Sequence, residues 1–334
     1  MSRCKVANCP YDRDGRCVEG LLPDCPNLIP EEEAEQVSAP AEAPPPAPAT
    51  QEQLYSARKL TAEEAAIILQ RNPQVIALGG LVESGKTTLL ARIFEMFQNG
   101  EINGYRFMQS RTPMEFDMLS WHATMECGAT VPTTEYTYRS ENNLFLHLRI
   151  RAEKPSATPI DLLISDIPGE IFPEAIAEEA VCKEIKALRR ANHVVVFLDC
   201  KVLCDAVKRH DHCGKVFDFI IRALQTGQIG QHTVLHLVIS KYDWLSKDNS
   251  LAPDLMKAVA QIEQSFRTKF AARVGGLQVH RLAARPDLPF NPTLREINDL
   301  FHLWTTRVTP HGKNLSPTAK SNFQRDFCRF GLIS

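Results

Sequence analysis

Gly80-Leu81-Val82-Glu83-Ser84-Gly85-Lys86-Thr87 fits the pattern G-x-x-x-x-G-K-[ST], and its surroundings decide how it is read. Pro73-Gln74-Val75-Ile76-Ala77-Leu78 before it is a short apolar run that predicts a buried strand. Thr88-Leu89-Leu90-Ala91-Arg92-Ile93-Phe94-Glu95-Met96-Phe97 after it has helical spacing. Strand, glycine-rich turn and helix together make a phosphate cradle. The glycines let the backbone wrap a phosphate, and the first amides of the helix point at it with the positive end of the helix dipole. Lys86 is placed to reach the outer phosphates and the Thr87 hydroxyl to ligate Mg²⁺. Gly80, Glu83, Ser84, Gly85 and Thr88 complete the cradle.

The rest of the chain supplies room for such a site and excludes several alternatives. With 334 residues and 44% hydrophobic composition it can build one sizeable core with appendages. A net charge of −2 gives no polyelectrolyte case for nucleic acid. No apolar run approaches the roughly 18–20 residues that cross a bilayer. Met1-Ser2-Arg3-Cys4 opens no apolar signal core, and neither end carries a lipidation pattern. The expectation is a soluble, cytoplasmic protein without membrane insertion or nucleic-acid binding.

Composition divides the chain into four parts. Residues 1–28 are rich in Cys, Pro and Asp, and residues 29–58 are acidic and then rich in Pro and Ala, the composition of a disordered linker. Residues 59–308 alternate strands and helices, and 309–334 form a polar tail. Thr61 with Glu64 makes a capping box for a helix through Gln70. Strands are predicted over 144–151, 160–165, 193–198, 234–240 and 278–282. Helices are predicted over 86–98, 174–190, 202–225, 254–273 and 293–306. The alternation implies an α/β fold with a mainly parallel sheet and helices on both faces. The strands over 144–151 and 160–165, joined by a short turn, read as an antiparallel hairpin.

Three further segments lie where strands of this sheet end. Ile160-Asp161-Leu162-Leu163-Ile164-Ser165 delivers Asp166-Ile167-Pro168-Gly169-Glu170, and a carboxylate there lies in the crevice where open α/β sheets bind ligands. Asp166 can hold Mg²⁺ through water, and the Gly169 amide can approach a terminal phosphate with no side chain in the way. The strand ending at Ile239 delivers Ser240-Lys241-Tyr242-Asp243, which resembles the [NT]-K-x-D guanine box. A carboxylate at Asp243 accepts two hydrogen bonds from guanine, a donor pair adenine lacks, and Lys241 can lie along the base. Val279-His280-Arg281-Leu282 leads to Ala283-Ala284-Arg285, a weak form of the S-A-K box in which the Ala284 amide meets the guanine oxygen.

The order and positions of these four boxes resemble the small-GTPase branch of the phosphate-loop proteins over roughly residues 75–306. Val82-Glu83 in the phosphate loop and Pro168 in the Asp-Ile-Pro-Gly segment resemble translation-factor GTPases, but no β-barrel segments follow. Ser110-Arg111-Thr112, the insertion reaching Pro132-Thr133-Thr134, Leu146-His147-Leu148-Arg149 and the Asp-Ile-Pro-Gly-Glu box are similar to bacterial double-GTPase families placed in conflict or defence systems. The resemblance implies a Ras-like GTPase fold binding GTP or GDP with Mg²⁺. It makes Lys86, Gly169 and Glu170 the catalytic group, with Thr87, Asp166 and one of Thr133 or Thr134 around the metal. It also implies effectors, an activating or exchange partner and a second GTPase as partners.

The sequence departs from that pattern in places. Glu170 stands where Ras-like members place glutamine; its carboxylate can orient water or repel the γ-phosphate. Ser240 replaces asparagine or threonine, which predicts lost reach toward the phosphate loop. About 45 residues separate Lys86 from the switch threonines, with Thr130 and Thr137 as further candidates. That insertion, with a helix expected near 114–124, is either an effector surface or a lengthened connection. Arg139, Arg189 and Arg190 are candidates for an arginine acting in cis, with solvated surface positions as the simpler reading.

Cys4, Cys9, Cys17 and Cys25 supply four thiolates on a unit too small for its own core. They read either as a Zn²⁺ site, as an unfolded redox-tolerant tail, or as two disulfides in an oxidising compartment. His210, His212, Cys213 and Cys204 read as a solvated helix end rather than a second metal site. Trp121, Trp244 and Trp304 read as packing residues. Two functions follow: a GTP-binding switch with slow Mg²⁺-dependent hydrolysis, or a non-hydrolysing guanine-nucleotide-responsive scaffold. An ATPase or kinase is a third.

Overall fold

Two units divide the chain, Met1–Gln53 and Leu54–Ser334. The computed structural model describes residues 3–4, 15–16, 20, 22–29, 58–123, 139–154, 156–247, 252–285 and 294–306. In the first unit Arg3–Cys4 pairs antiparallel with Leu28–Ile29. Cys25, half-buried, is a free thiol, whereas Cys9 and Cys17 lie outside the described residues. So do nearly all of the expected linker and the whole of the expected tail.

The second unit opens with α1 (Ala62–Leu69), and the capping box is present. Thr61 Oγ1 accepts from the Glu64 amide at 3.3 Å, and the Glu64 carboxylate accepts from the Thr61 amide at 2.8 Å. The chain then runs through β1 (Gln74–Gly80) and α2 (Lys86–Gln98) into a turn at Asn103 and Gly104, both with positive φ. Next come β2 (Tyr105–Gln109), α3 (Pro113–Ala123), a single 3₁₀ turn at Arg139–Glu141, β3 (Leu146–Ala152) and β4 (Ile160–Asp166). Three short helices follow: α4 (Ile171–Ala177), α5 (Glu179–Glu184) and α6 (Lys186–Arg190). After β5 (His193–Asp199) come α7 (Cys200–Leu203), α8 (Ala206–Gln225), β6 (Val234–Ser240), α9 (Trp244–Lys247), α10 (Ala252–Phe270), β7 (Gly276–Arg281) and α11 (Leu294–Thr305).

The seven strands form one sheet in the order β2-β3-β4-β1-β5-β6-β7. β1 lies parallel to β4 on one side and β5 on the other, and β6 and β7 continue in parallel. β3 runs against both β2 and β4, which is the expected hairpin. All seven residues of β1 are buried, as a strand covered on both faces requires. Its alternate side chains feed two cores. Ala77 belongs to the core that also takes in residues of α4, α8 and α10, while Ile76 and Leu78 belong to the core that takes in residues of α2, α3 and α11.

Three sequence expectations are corrected. The helix read over 174–190 is broken into α4, α5 and α6. Glu178 is extended and Ile185 leaves helical geometry with its side chain fully buried. Asn143 bridges the second break, accepting from the Lys186 amide at 2.6 Å and donating to the Glu184 carbonyl at 2.9 Å. The helix read over 202–225 restarts at Asp205, whose carboxylate caps the Val207 and Lys208 amides. β2 is additional. As an edge strand its three central residues are exposed, so it lacks the apolar alternation that marks a strand in sequence.

One polar row crosses the parallel half of the sheet. His193 Nδ1 lies 3.0 Å from His236 Nε2, and His236 Nδ1 lies 3.1 Å from His280 Nε2. His193 Nε2 is buried without a hydrogen-bond partner among the described residues. A lone pair there costs less than an unsatisfied N–H, so the protons point from β5 through β6 to β7. The chain ties together three strands whose ends carry the site. Burial lowers the pKa of His193 and of His280 to about 4, Asp299 partly opposing it at His280. Burial and its two neighbours hold His236 well below the ordinary value.

Each ring is neutral in the fold and takes a proton more readily when unfolded. Their contribution to stability is therefore complete above about pH 6.5 and is lost as pH falls toward 4. The loss is on the order of 3 kcal/mol for each of the outer two. Urea unfolding should show falling stability between pH 7 and pH 5, a window above most carboxylate titration. That slope should shrink in His193→Gln.

Candidate nucleotide-binding site

β1 ends at Gly80, and the next turn reverses so that α2 can start at Lys86. Glu83 adopts φ +61 and Gly85 φ +90. A left-handed conformation is costly for a residue with a Cβ, so Glu83 has to be held in place. Lys86 is buried, with Nζ donating to the carbonyls of Gly80 (3.0 Å) and Leu81 (3.2 Å). Burial lowers its pKa, with the Asp166 carboxylate opposing. Ser84 is buried and Thr88 half-buried beside it.

Thr87 and Asp166 meet across the crevice. The Thr87 hydroxyl donates to Asp166 Oδ2 at 2.7 Å, and both side chains are buried. The Ile167 amide donates to the Leu78 carbonyl at 2.9 Å, which fixes the end of β4 against β1. A hydroxyl and a carboxylate together at the phosphate loop are the hard oxygen donors that Mg²⁺ takes, so these residues fit that ion. Beyond them the chain passes directly over the loop. A Cβ at Gly169 would lie 2.4 Å from Val82 N and 2.7 Å from Leu81 C, so only glycine allows this approach. Glu170 stands at the N-cap of α4, exposed and with no side-chain capping bond. Phe172 then anchors the segment by stacking on Phe219 of α8, centroids 4.0 Å apart.

The base-box residues approach from the other side of β1. Ser240 Oγ donates to the Ser84 carbonyl at 2.7 Å, with the Leu198 carbonyl at 3.2 Å. The expected loss of reach is thus corrected: the serine does touch the phosphate loop, because the loop passes close to the end of β6. Lys241, itself at φ +52, donates through Nζ to the Glu83 carbonyl and to Asp199 Oδ2, both at 2.7 Å. Asp243 is buried one turn on, and the Tyr242 amide donates to the Leu282 carbonyl at 3.2 Å. That bond brings the loop beside the buried Ala283 and Ala284.

Sequence reasoning missed Asp199 and misplaced His212. Asp199 ends β5 and is buried beside Lys241, while its amide donates to His212 Nε2 at 3.1 Å. Its one legible signal was an acidic residue at the end of a parallel strand. His212 is thus buried inside α8, which corrects the solvated helix end expected for it. Trp304 is buried as expected and Trp244 half-buried, but Trp121 is 53% exposed on α3.

The remaining candidates do not join the site. Thr133 and Thr134, with Thr130 and Thr137, lie outside the described residues. Arg139 is exposed and paired with Glu174. Arg189 and Arg190 close α6 just before β5 begins, at the end of the sheet opposite the phosphate loop. Among the described residues no cluster of three or more His, Cys, Asp or Glu is arranged for a metal ion, and no helix is long and apolar enough to cross a membrane.

A phosphate cradle at the end of a central parallel strand, faced by a carboxylate and glycine and by a lysine–aspartate loop, defines a phosphate-loop GTPase-superfamily protein. The sequence matches the Double-GTPase 2 family over residues 74–305, and the chain belongs to that family. Comparison with curated proteins gives no match. Among solved structures it is similar to an ADP-ribosylation-factor-like GTP-binding protein, the small COPII coat GTPase Sar1 of Encephalitozoon cuniculi in complex with GDP. That similarity has 10% identity and a TM-score of 0.32, over 73% of this chain and 94% of that one. It is also similar to the GTP-bound Ski7 GTPase-like domain of S. cerevisiae, with 13% identity and a TM-score of 0.37, over 73% of this chain and 53% of that one.

The backbone contact at Gly169 yields a sharp expectation. Gly169→Ala should lower nucleotide affinity by about tenfold or more, roughly 1.4 kcal/mol, because the methyl group forces the loop and the segment apart. Titration with a fluorescent GTP analogue measures it, and unchanged affinity would contradict the geometry.

Proposed function

We propose that this protein is a GTP-binding switch with slow, Mg²⁺-dependent hydrolysis of the γ-phosphate. The observation that carries the reading is the physical junction of the phosphate loop with the lysine–aspartate loop, through Lys241 to Glu83 and Ser240 to Ser84. One ligand with phosphates at one end and a base at the other spans such a junction.

In this reading Lys86 and the loop amides hold the phosphates and stabilise charge as the terminal group departs. Thr87 and Asp166 hold Mg²⁺, which neutralises charge shared by the outer two phosphates. Thr133 or Thr134 completes that shell. The Gly169 amide faces the γ-phosphate, and Glu170, whose carboxylate caps nothing, orients the attacking water. Asp243 accepts the ring N–H and the amino group of guanine, with Ala283 and Ala284 lining the base. Loss of the γ-phosphate releases the segment after Asp166, and effectors and regulators read that change. An arginine supplied by a partner would raise a turnover otherwise of order 10⁻⁴–10⁻² s⁻¹. The Cys4, Cys9, Cys17 and Cys25 unit is a zinc-stapled docking module in this scheme, which zinc content of the full chain tests.

A specific observation favours one rival. Glu170 is exposed and directly follows Gly169; in this reading its carboxylate faces the γ-phosphate, and an anion there suits a scaffold that binds guanine nucleotide without cleaving it. Single-turnover phosphate release separates the two. The switch requires release from GTP that falls in Glu170→Ala. No release from the wild type, with GTP still bound, leaves the scaffold. Base choice is read in parallel. Asp243→Asn should shift preference from GTP toward xanthosine triphosphate by about a hundredfold, near 2.7 kcal/mol. An unaltered preference would remove Asp243 from the base site, and ATP competing as well as GTP would overturn the guanine assignment.

A further inference from the structure

A second lysine, outside the phosphate loop, is buried at the nucleotide end of the sheet. Lys59, just ahead of α1, is 8% exposed. Its neighbour Leu60 pairs with Phe145, each amide donating to the other's carbonyl at 2.8 Å. Phe145 directly precedes β3, whose first residue, Leu146, stands opposite Ile164 of β4, two residues short of Asp166. Leu60 belongs to the core that takes in residues of α4, α8 and α10. The adjacent side chain in extended backbone goes to the other face, where α2 and α3 lie. The contacts of Lys59 agree: its ammonium pairs with Glu115 of α3 at 3.5 Å and with Glu141 of the 3₁₀ turn. Asp166 shares that face with Ile164, and its carboxylate accepts from Thr87 of α2. Burial works against the Lys59 charge, but Glu141, Asp166 and Glu115 together hold its pKa above the ordinary value.

The plainer explanation is an ion pair that anchors its own segment. That segment is anchored already, by the Leu60–Phe145 pair, the Thr61 capping box and Arg58 on Glu64 at 2.9 Å. Well-packed apolar side chains in place of a buried ion pair are often neutral or stabilising, so anchoring does not account for a charge at this depth. Nor are the three charges equivalent. Side-chain exposure is 9% for Lys59, 18% for Glu115 and 27% for Glu141, so the ammonium is the inner member. Water and salt screen the outer carboxylates more than they screen the ammonium. The side of the trio toward Asp166 is therefore cationic. A nucleoside triphosphate brings its extra negative charge to that same edge, and a diphosphate does not.

We propose that Lys59 is a specificity-determining residue of the nucleotide site, a counter-charge to the terminal phosphate that favours triphosphate over diphosphate. This rests on the GTP-binding reading above. Lys86 serves both nucleotides from the phosphate loop, whereas Lys59 acts from the Asp166 flank on the group by which they differ.

The test measures the affinity of the full chain for GDP and for a GTP analogue with an imido bridge, in the presence of Mg²⁺. Lys59→Met keeps the length of the side chain and removes its charge. It should weaken the analogue by about tenfold and leave GDP within about twofold. Lys59→Arg, which keeps the charge, should retain most of the preference. A merely structural ion pair would lower both affinities together, or the melting temperature alone, and either result overturns the proposal. So does an analogue-to-GDP ratio that Lys59→Met leaves unaltered. If Lys59→Met does not fold, Lys59→Gln, which can still donate to both glutamates, decides by the same ratio. A wild-type chain that binds neither nucleotide removes the GTP reading and this proposal with it. A wild-type chain that binds both, with an unchanged ratio in the variant, removes the proposal alone.

Discussion

One ammonium group holds the two halves of the site in register. Lys241 Nζ sits between the Glu83 carbonyl of the phosphate loop and the Asp199 carboxylate at the end of β5. Hydrogen bonds involving a charged group contribute roughly 1.5–3 kcal/mol each when partly buried. That is enough to offset the left-handed backbone at both Glu83 and Lys241, which costs of order 1–3 kcal/mol per residue. Strain and tether occur together: the two residues joined by this hydrogen bond both have the left-handed backbone. Ser240 adds a further, neutral tie one residue earlier.

The sheet explains why the tether can exist. Three parallel strands, β1, β5 and β6, end side by side, so Gly80, Asp199 and Ser240 arrive at the same edge from distant parts of the sequence. The register Gly80 opposite Phe197 and Asp199 opposite Ser240 sets their depth. β4 brings Asp166 to the same edge from the other side of β1. The reversal of direction in chain order at β1 opens the crevice into which the phosphate loop folds. The histidine row, buried lower in β5, β6 and β7, links the strands that present the base-side loops.

Much of this is legible in the sequence because the central strands are continuous apolar runs ending at polar motifs. The phosphate loop, Asp166, Gly169 and the lysine–aspartate loop can therefore be placed at strand ends without a structure. What is not legible depends on register or on distant partners. The break at Ile185 hides behind continued helical periodicity, and it needs Asn143, from a different part of the chain, to satisfy its backbone. The histidines are separated by 43 and 44 residues, and nothing short of strand pairing shows that they touch. Asp199 belongs to no motif, and its meaning arises only when Lys241 is beside it. Ser240 looks too short in sequence because side-chain length alone does not tell how near the loop passes.

The contact at Gly169 has a mechanical meaning. Where two segments meet through side chains, a small displacement of one is absorbed by rotamer changes and never reaches the other. Here main chain rests on main chain, with Val82 N and Leu81 C occupying the space a side chain would need. Such a joint has almost no slack. Whatever moves the loop must push the Asp166–Glu170 segment with it, and Phe172, stacked on Phe219, passes the push on to α8.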